Sequence, residues 1–323
     1  MRIEKIREIT LEELNPEKFV EQKIREISSI VDGIAINALS GGVDSSVVTI
    51  LGNQAIGDRL KTYFIDNGLM RKNEPEMIIK IFKEIGINVN LVDAQDKFFK
   101  TLKGKVDPEE KRKAIMKTFY GDVFRKLAKE NKAKYLLHGT IYTDIEETVS
   151  GIKRQHNILE QIGIDPEKNY GYKIIEPLKE LRKPAVREIA KYLGLPKEIY
   201  DRKPFPGPAL AARVIGEVTP EKIEIVREAT EIVENLFSNI DAFQYMAILH
   251  EDLVTGIRDG KRKLGYQIEI RCWKSEDAVT ANPCEVSYKI LKGLSELITS
   301  KIPDVVSVTY NITPKPPSTI EAV

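Results

Sequence analysis

Seven consecutive residues, Ser40-Gly41-Gly42-Val43-Asp44-Ser45-Ser46, carry the strongest chemical signal in the sequence. Paired glycines let a backbone come close to an anion, and serine hydroxyls donate hydrogen bonds to it. A helix starting here points its positive N-terminal end at the same place. The combination predicts a cradle for pyrophosphate or for the tail of a nucleoside triphosphate. A Walker-type loop needs Lys directly before its Ser or Thr; Asp44 or Ser45 stands there instead, so a kinase-type or GTPase-type loop is disfavoured. An acid beside a triphosphate makes sense as a ligand of Mg2+, a hard cation that takes carboxylate and phosphate oxygens, and Asp44 is the candidate metal residue. Gly-Gly alone would as readily be a turn between strand and helix; the full heptapeptide in that setting points to phosphate.

The elements that must hold such a loop are legible around it. From about residue 34 to 178, short apolar runs alternate with longer amphipathic stretches, the pattern of parallel strands joined by helices. Strands are predicted at Ile34–Leu39, Lys61–Asp66, Asn88–Asp93, Tyr135–His138 and Lys173–Ile175, with helices at Pro75–Ile85 and Glu109–Asn131. The expected fold class is α/β, a doubly wound parallel sheet, whose ligands sit at the carboxyl ends of the strands. The loops after Leu39, Asp66 and His138 are therefore where chemistry is expected. The Pro- and Gly-rich run Lys203–Pro208 suggests a boundary between domains at 1–203 and 204–323. Beyond it, Thr219-Pro220 opens a helix to about Phe237, Gln267–Cys272 alternates with period two, Ser287–Lys301 has helical spacing and Val305–Ile312 reads as a strand. This order predicts a smaller α+β domain with a sheet solvated on one face.

Composition narrows the class. With 50 Lys and Arg against 49 Asp and Glu in 323 residues and no polybasic block, neither a disordered charged tail nor a broad nucleic-acid surface is expected. The charged N-terminal segment lacks a signal-peptide pattern, and no run approaches the ~18 apolar residues of a membrane span. Two cysteines, Cys272 and Cys284, cannot build a disulfide framework or a four-cysteine zinc site, and the three histidines are scattered, so chemistry resting on a His-rich or Cys-rich metal site is not expected. A reduced, cytoplasmic protein without membrane attachment is the expectation.

The Ser40–Ser46 loop resembles that of the N-type ATP pyrophosphatases. Further segments narrow the resemblance to the synthetase subunit of GMP synthase: Phe64–Arg71, Asp107–Lys113, Ile175–Leu178, Pro204–Leu210, Gly216–Thr219 and Lys315-Pro316-Pro317. The glutamine amidotransferase domain of the single-chain form is missing, which implies a separate glutaminase subunit. The resemblance implies ATP and Mg2+, with xanthosine monophosphate (XMP) as acceptor. The C2 oxygen of XMP takes the adenylyl group, pyrophosphate leaves, and ammonia displaces AMP.

By motif match, Ser40–Ser46 would hold the β- and γ-phosphates with Mg2+ on Asp44, and Ile65, Asp66 and Asn67 would face the adenosine. Asp144 and Glu147, three apart on one helical turn, and Lys153 in a lid-like segment are the catalytic candidates. The acceptor candidates are Arg112, Gln244, Asp259, Lys261, Lys315 and Glu321, with Arg213 added from the Pro-Gly loop. Alone, each of these charges reads as solvated surface. The resemblance also implies a homodimer through the C-terminal domain. The chain departs from the family pattern at Ala209, where the loop has Gly, at Lys261, where it has Arg, and at Gln155-His156, where the lid has paired His.

Two other readings stay open. One is a paralogue adenylating a different nucleotide or base for nitrogen or sulfur transfer; its best cysteine would be Cys284, after Asn-Pro at an expected helix start. The other is a non-catalytic ATP-binding relative, for which an intact Asp44 would have no use.

Overall fold

In the computed structural model of the chain, residues 6–149, 171–276 and 278–322 are described. The elements run α1 (Pro16–Ile30), β1 (Ala35–Ala38), α2 (Val43–Ile56), β2 (Leu60–Asp66), α3 (Glu74–Glu84), β3 (Val89–Asp93), α4 (Gln95–Leu102), α5 (Pro108–Met116), a π-helical segment (Lys117–Phe124) and α6 (Arg125–Glu130). They continue with β4 (Tyr135–Leu137), α7 (Tyr142–Val149), β5 (Lys173–Ile175), α8 (Lys183–Tyr192) and α9 (Lys197–Tyr200). The last part holds α10 (Pro220–Leu236), β6 (Gln244–Arg258), β7 (Lys261–Lys274), β8 (Asn282–Pro283), α11 (Tyr288–Lys301) and β9 (Val305–Tyr310).

The first five strands form one parallel sheet in the order β3-β2-β1-β4-β5, with Ala35 level with Leu60 on one side and Tyr135 on the other. The chain winds outward in both directions from β1. The loops after β1 and β4 thus flank the point where the strand order reverses, the crevice in which such sheets bind ligands. Ala-Ile-Asn-Ala is short and almost wholly buried because helices cover both faces, and α2 presents Val47, Val48, Ile50 and Leu51 to that interior.

Where one long helix over Glu109–Asn131 is expected, the structure has α5, a π-helical segment and α6 in succession. Asp107 caps α5 by accepting from Glu110 N at 2.9 Å, with Pro108 in the first turn, so the start is well specified. The wider turns run over Lys117–Phe124, where Phe119 packs edge-on to Tyr120 and stacks on Phe124.

The chain divides into two compact units. One comprises Met1–Asp66, Pro75–Asp93 and Phe119–Arg202; the other comprises Asn67–Glu74, Ala94–Thr118 and Lys203–Val323. Two stretches that a single cut near residue 203 leaves with the first half belong to the second unit. In that unit β6, β7 and β8 are antiparallel and β9 joins β7 in parallel.

A sheet solvated on one face describes only the outer half of the β6–β7 hairpin, where Leu253, Ile257 and Leu264 are exposed. Nearer its base, Gln244–Leu249 is buried on both faces apart from partly exposed Tyr245, because Met246, Ile248 and Trp273 are covered by Ile215, Ile320 and Ala322. The chain's end supplies part of that cover. Thr219 and Ser287 cap α10 and α11 as their side chains allow, accepting from Lys222 N and Ile290 N.

Candidate functional site

The heptapeptide folds into a tight loop at the carboxyl end of β1. Gly41 has φ +77°, and a Cβ there would lie 2.9 Å from Ile78 and 3.1 Å from the Arg202 guanidinium, so only glycine fits. Gly42 is the N-cap of α2, which leaves the first-turn N–H groups of that helix without a capping side chain. Ser45 draws the loop together: its hydroxyl accepts from Ser40 N at 3.2 Å and donates to Gly42 O at 3.0 Å, and it lies 3.0 Å from Ser40 Oγ. The result is a ring of small donors around a helix N-terminus, suited to an anion.

Two cations join this loop that the sequence reading did not single out. Lys183, the first residue of α8, places Nζ 2.5 Å from Asp44 Oδ2, and Arg202 donates to Gly41 O at 3.2 Å. A signal for Lys183 existed. A crossover helix begins at the carboxyl edge of a parallel sheet, so a Lys in its first turn is carried to the ligand side by topology.

The second oxygen, Asp44 Oδ1, is buried and has no hydrogen-bond partner among the described residues. A lone buried carboxylate oxygen beside an anion cradle fits a hard divalent cation, and Asp44 is therefore a suitable residue to hold Mg2+ together with phosphate oxygens.

The loop after β4 closes on the same place. A Cβ on Gly139 would lie 3.2 Å from Ser45 N and 3.3 Å from Asp44, so the absence of a side chain lets the two loops touch. Asp144 accepts from Ile141 N at 3.0 Å and its own N–H donates to Ile141 O, which fixes the first turn of α7. Glu147 follows on that helix, while Lys153 lies outside the described residues. Ile65 is buried and Asp66 half-buried at the carboxyl end of β2; the Asn67 amide oxygen accepts from Leu69 N at 2.9 Å.

The same edge holds four side chains that sequence reasoning missed. The Tyr120 hydroxyl is 3.0 Å from His138 Nε2, His138 Nδ1 is 3.0 Å from Thr140 Oγ1, and Thr140 donates to Glu176 Oε1 at 2.6 Å. Burial pushes the His138 pKa down to about 4 and pushes the Tyr120 phenol up, with the Asp144 charge adding to the latter.

In the second unit the structure brings together three acceptor candidates. Gln244, 3% exposed, donates through Nε2 to Glu321 Oε1 at 2.6 Å and to Pro204 O at 3.1 Å. Arg213, 1% exposed, lies over the Phe205 ring at 4.9 Å and 3.7 Å from Glu321 Oε2. Arg213 Nε and Nη1 and Glu321 Oε2 are buried without a hydrogen-bond partner among the described residues. Unsatisfied donors beside an unsatisfied acceptor are costly in an interior and suit a polar ligand.

Arg271 and Trp273 hold the segment that carries Glu321, donating to Thr319 O at 2.8 Å and Ile320 O at 3.1 Å. The period-two alternation sets Arg271 on the polar face with Gln267 and Glu269, so nothing in that pattern marked it.

The remaining acceptor candidates are elsewhere. Lys315 Nζ donates to Ala278 O at 2.7 Å, and Arg112 on α5 lies 3.7 Å from Glu109. Asp259 and Lys261 form the hairpin tip, about 45 Å along the ladder from Gln244 at ~3.3 Å per residue. Cys284 is not at a helix start: it is buried opposite Cys272, donating its N–H to Cys272 O at 2.8 Å, four residues before α11 begins. Both thiols are packed, and burial with the neighbouring Cys284 pushes the Cys272 thiol well up.

Two family models match separate stretches of the chain. A family model described as NAD synthase matches residues 14–151, the stretch with the anion loop, and one described as GMP synthase C terminal domain matches residues 231–322. The chain is 51% identical to the B-type subunit of the glutamine-hydrolyzing GMP synthase of Archaeoglobus fulgidus over 310 residues, 95% of this chain and 99% of that protein. The chain belongs to the family of B-type GMP synthase subunits. The corresponding protein of Pyrococcus furiosus is 50% identical over 94% of this chain and 97% of its own length. That of Methanocaldococcus jannaschii is 47% identical over 95% and 99%. Membership of this GMP synthase family covers both units, and with them the anion loop and the Arg213–Gln244–Glu321 cluster.

Proposed function

We propose that the protein is an ATP-dependent C–N ligase that converts XMP to GMP. The observation that carries this reading is the anion loop itself, with Gly41 in the left-handed region, a helix N-terminus behind it and the Asp44–Lys183 pair at its rim. A loop that grips the outer two phosphates leaves the α-phosphorus exposed. The C2 oxygen of XMP attacks it, the α–β bridging bond breaks, and pyrophosphate leaves. Ammonia then adds at C2, AMP departs with the former C2 oxygen, and one proton is released. Adenylation turns a poor leaving oxygen into a good one; the protein's task is to position and to neutralise charge.

In this reading Ser40–Ser46 hold the β- and γ-phosphates, and Lys183 and Arg202 offset their charge. Ile65, Asp66 and Asn67 face the adenosine. Asp44 holds Mg2+, which supplies neutralisation of the phosphate oxygens when bound. Asp144, Glu147 and Lys153 serve the transfer. Arg213, Gln244 and Glu321 recognise the purine nucleotide, since carboxylate and amide groups can pair with a xanthine edge and the guanidinium with a carbonyl or phosphate. Arg112 and Lys315 add positive charge.

Asp259 and Lys261 fit best as contributions to a second copy's site. The exposed apolar face of the hairpin, Leu253, Ile257 and Leu264, supports a homodimer built there. The relatives' names support a separate glutamine amidotransferase subunit as the source of ammonia, and a cytoplasmic setting suits these substrates. Sulfur transfer is disfavoured because both thiols are packed.

Pyrophosphate release from ATP and Mg2+, with XMP beside a panel of other nucleotides, tests the proposal. Release with XMP alone, and GMP on adding ammonia, is expected; release with a different acceptor moves the protein to another substrate, and silence with all of them refutes the ligase reading.

A further inference from the structure

The polar chain behind the anion loop has a direction. Thr140 has one hydroxyl hydrogen and gives it to Glu176 Oε1, so its oxygen must accept from His138. The hydrogen of the neutral imidazole is then on Nδ1, and Nε2 is left to accept from the Tyr120 hydroxyl 3.0 Å away. The four groups come from three places: the π-helical segment, the loop that begins directly after β4, which carries both His138 and Thr140, and the residue after β5. His138 and Thr140 bracket Gly139, whose Cα backs onto Asp44 and Ser45 with no room to spare. Thr140 is fully buried, so the loop cannot shift without breaking a hydrogen bond that is sheltered from water.

We infer that His138, as its Nδ1–H tautomer, is a positioning residue for nucleotide binding: through Tyr120 and Thr140 it fixes where Gly139 presses on the Ser40–Ser46 loop. The inference rests on the reading of that loop as an ATP site and is independent of the acceptor. His138 touches no substrate in this role. It sets the spacing between the two loops that flank the crevice.

Three variants of the full chain test it: His138→Leu, which keeps bulk and removes both polar atoms; His138→Gln, whose amide oxygen can accept from Tyr120 while its N–H donates to Thr140; and Tyr120→Phe. The readouts are the Kd for Mg-ATP by calorimetry without XMP, and KM for ATP and for XMP in pyrophosphate release. Losing a buried donor–acceptor pair should weaken Mg-ATP about tenfold in His138→Leu. His138→Gln should stay within about threefold of the parent, Tyr120→Phe should fall between the two, and KM for XMP should be unchanged in all three.

An ordinary ATP affinity in His138→Leu overturns the inference, and so does a glutamine variant as impaired as the leucine one. Should His138→Leu not fold, an unchanged Kd in Tyr120→Phe overturns it. A parent that binds Mg-ATP but releases no pyrophosphate refutes the ligase reading while the Kd series still decides the role of His138; a parent that does not bind Mg-ATP refutes both.

Discussion

At the scale of single residues, Asp44 and Ala209 separate what chemistry demands from what folding demands. Asp44 spends one oxygen on a partly exposed ion pair with Lys183 and keeps the other buried and unpaired, an arrangement with little to offer stability. Asp44→Asn should therefore abolish pyrophosphate release while shifting the unfolding free energy by less than about 1 kcal/mol, as thermal melts beside the release assay would show. Ala209 holds φ +54° while 3% exposed, a conformation that costs an L-residue about 1–2 kcal/mol. Glycine removes that cost and returns about 0.4–1 kcal/mol of it through a freer unfolded chain, so Ala209→Gly should raise Tm slightly without loss of activity. His138 gives a pH signature. Its folded pKa is pushed down to about 4 from an ordinary 6.5, so the unfolded chain takes up the proton first. The stability of the parent relative to His138→Gln should hold above pH 6.5 and decline as pH falls from there towards 4, measured by denaturant titration at each pH.

At the scale of elements, much of the scaffold was legible because its patterns are local. The five parallel strands follow from short apolar runs set between amphipathic stretches, and the anion loop from a peptide whose glycines and serines have one plausible use after a strand. What escaped depends on tertiary partners. Lys183 and Arg202 look like any surface cations until α8 and the stretch after α9 deliver them to the loop. The His138 chain links residues up to 56 positions apart, from Tyr120 to Glu176, which no window of sequence reveals. The base of the β6–β7 hairpin reads as half-solvated until the chain's end covers it. That end is itself an element with a task, since Arg271 and Trp273 clamp the backbone at Thr319 and Ile320 and Gln244 holds Glu321. Arg271→Ala should raise KM for XMP about tenfold, with KM for ATP unchanged, because the loss falls on one substrate's groups only.

At the scale of the whole molecule, the proposed reading gives each unit one half of a two-substrate reaction: a triphosphate cradle on the parallel sheet, and a buried cluster of Arg213, Gln244 and Glu321 in the unit built around the long hairpin. The hairpin's exposed Leu253, Ile257 and Leu264 should close against a second copy. Ile257→Lys, at a residue that is 79% exposed, should give a monomer by sedimentation, folded but poorly active with XMP if the tip residues of one copy serve the other. If the loop holds the outer phosphates and leaves the α-phosphorus to the acceptor's oxygen, a reaction run with XMP carrying 18O at C2 and followed by mass spectrometry will show it. The label is predicted in AMP, with unlabelled pyrophosphate; label in an outer phosphate, or ADP and phosphate as products, would contradict it.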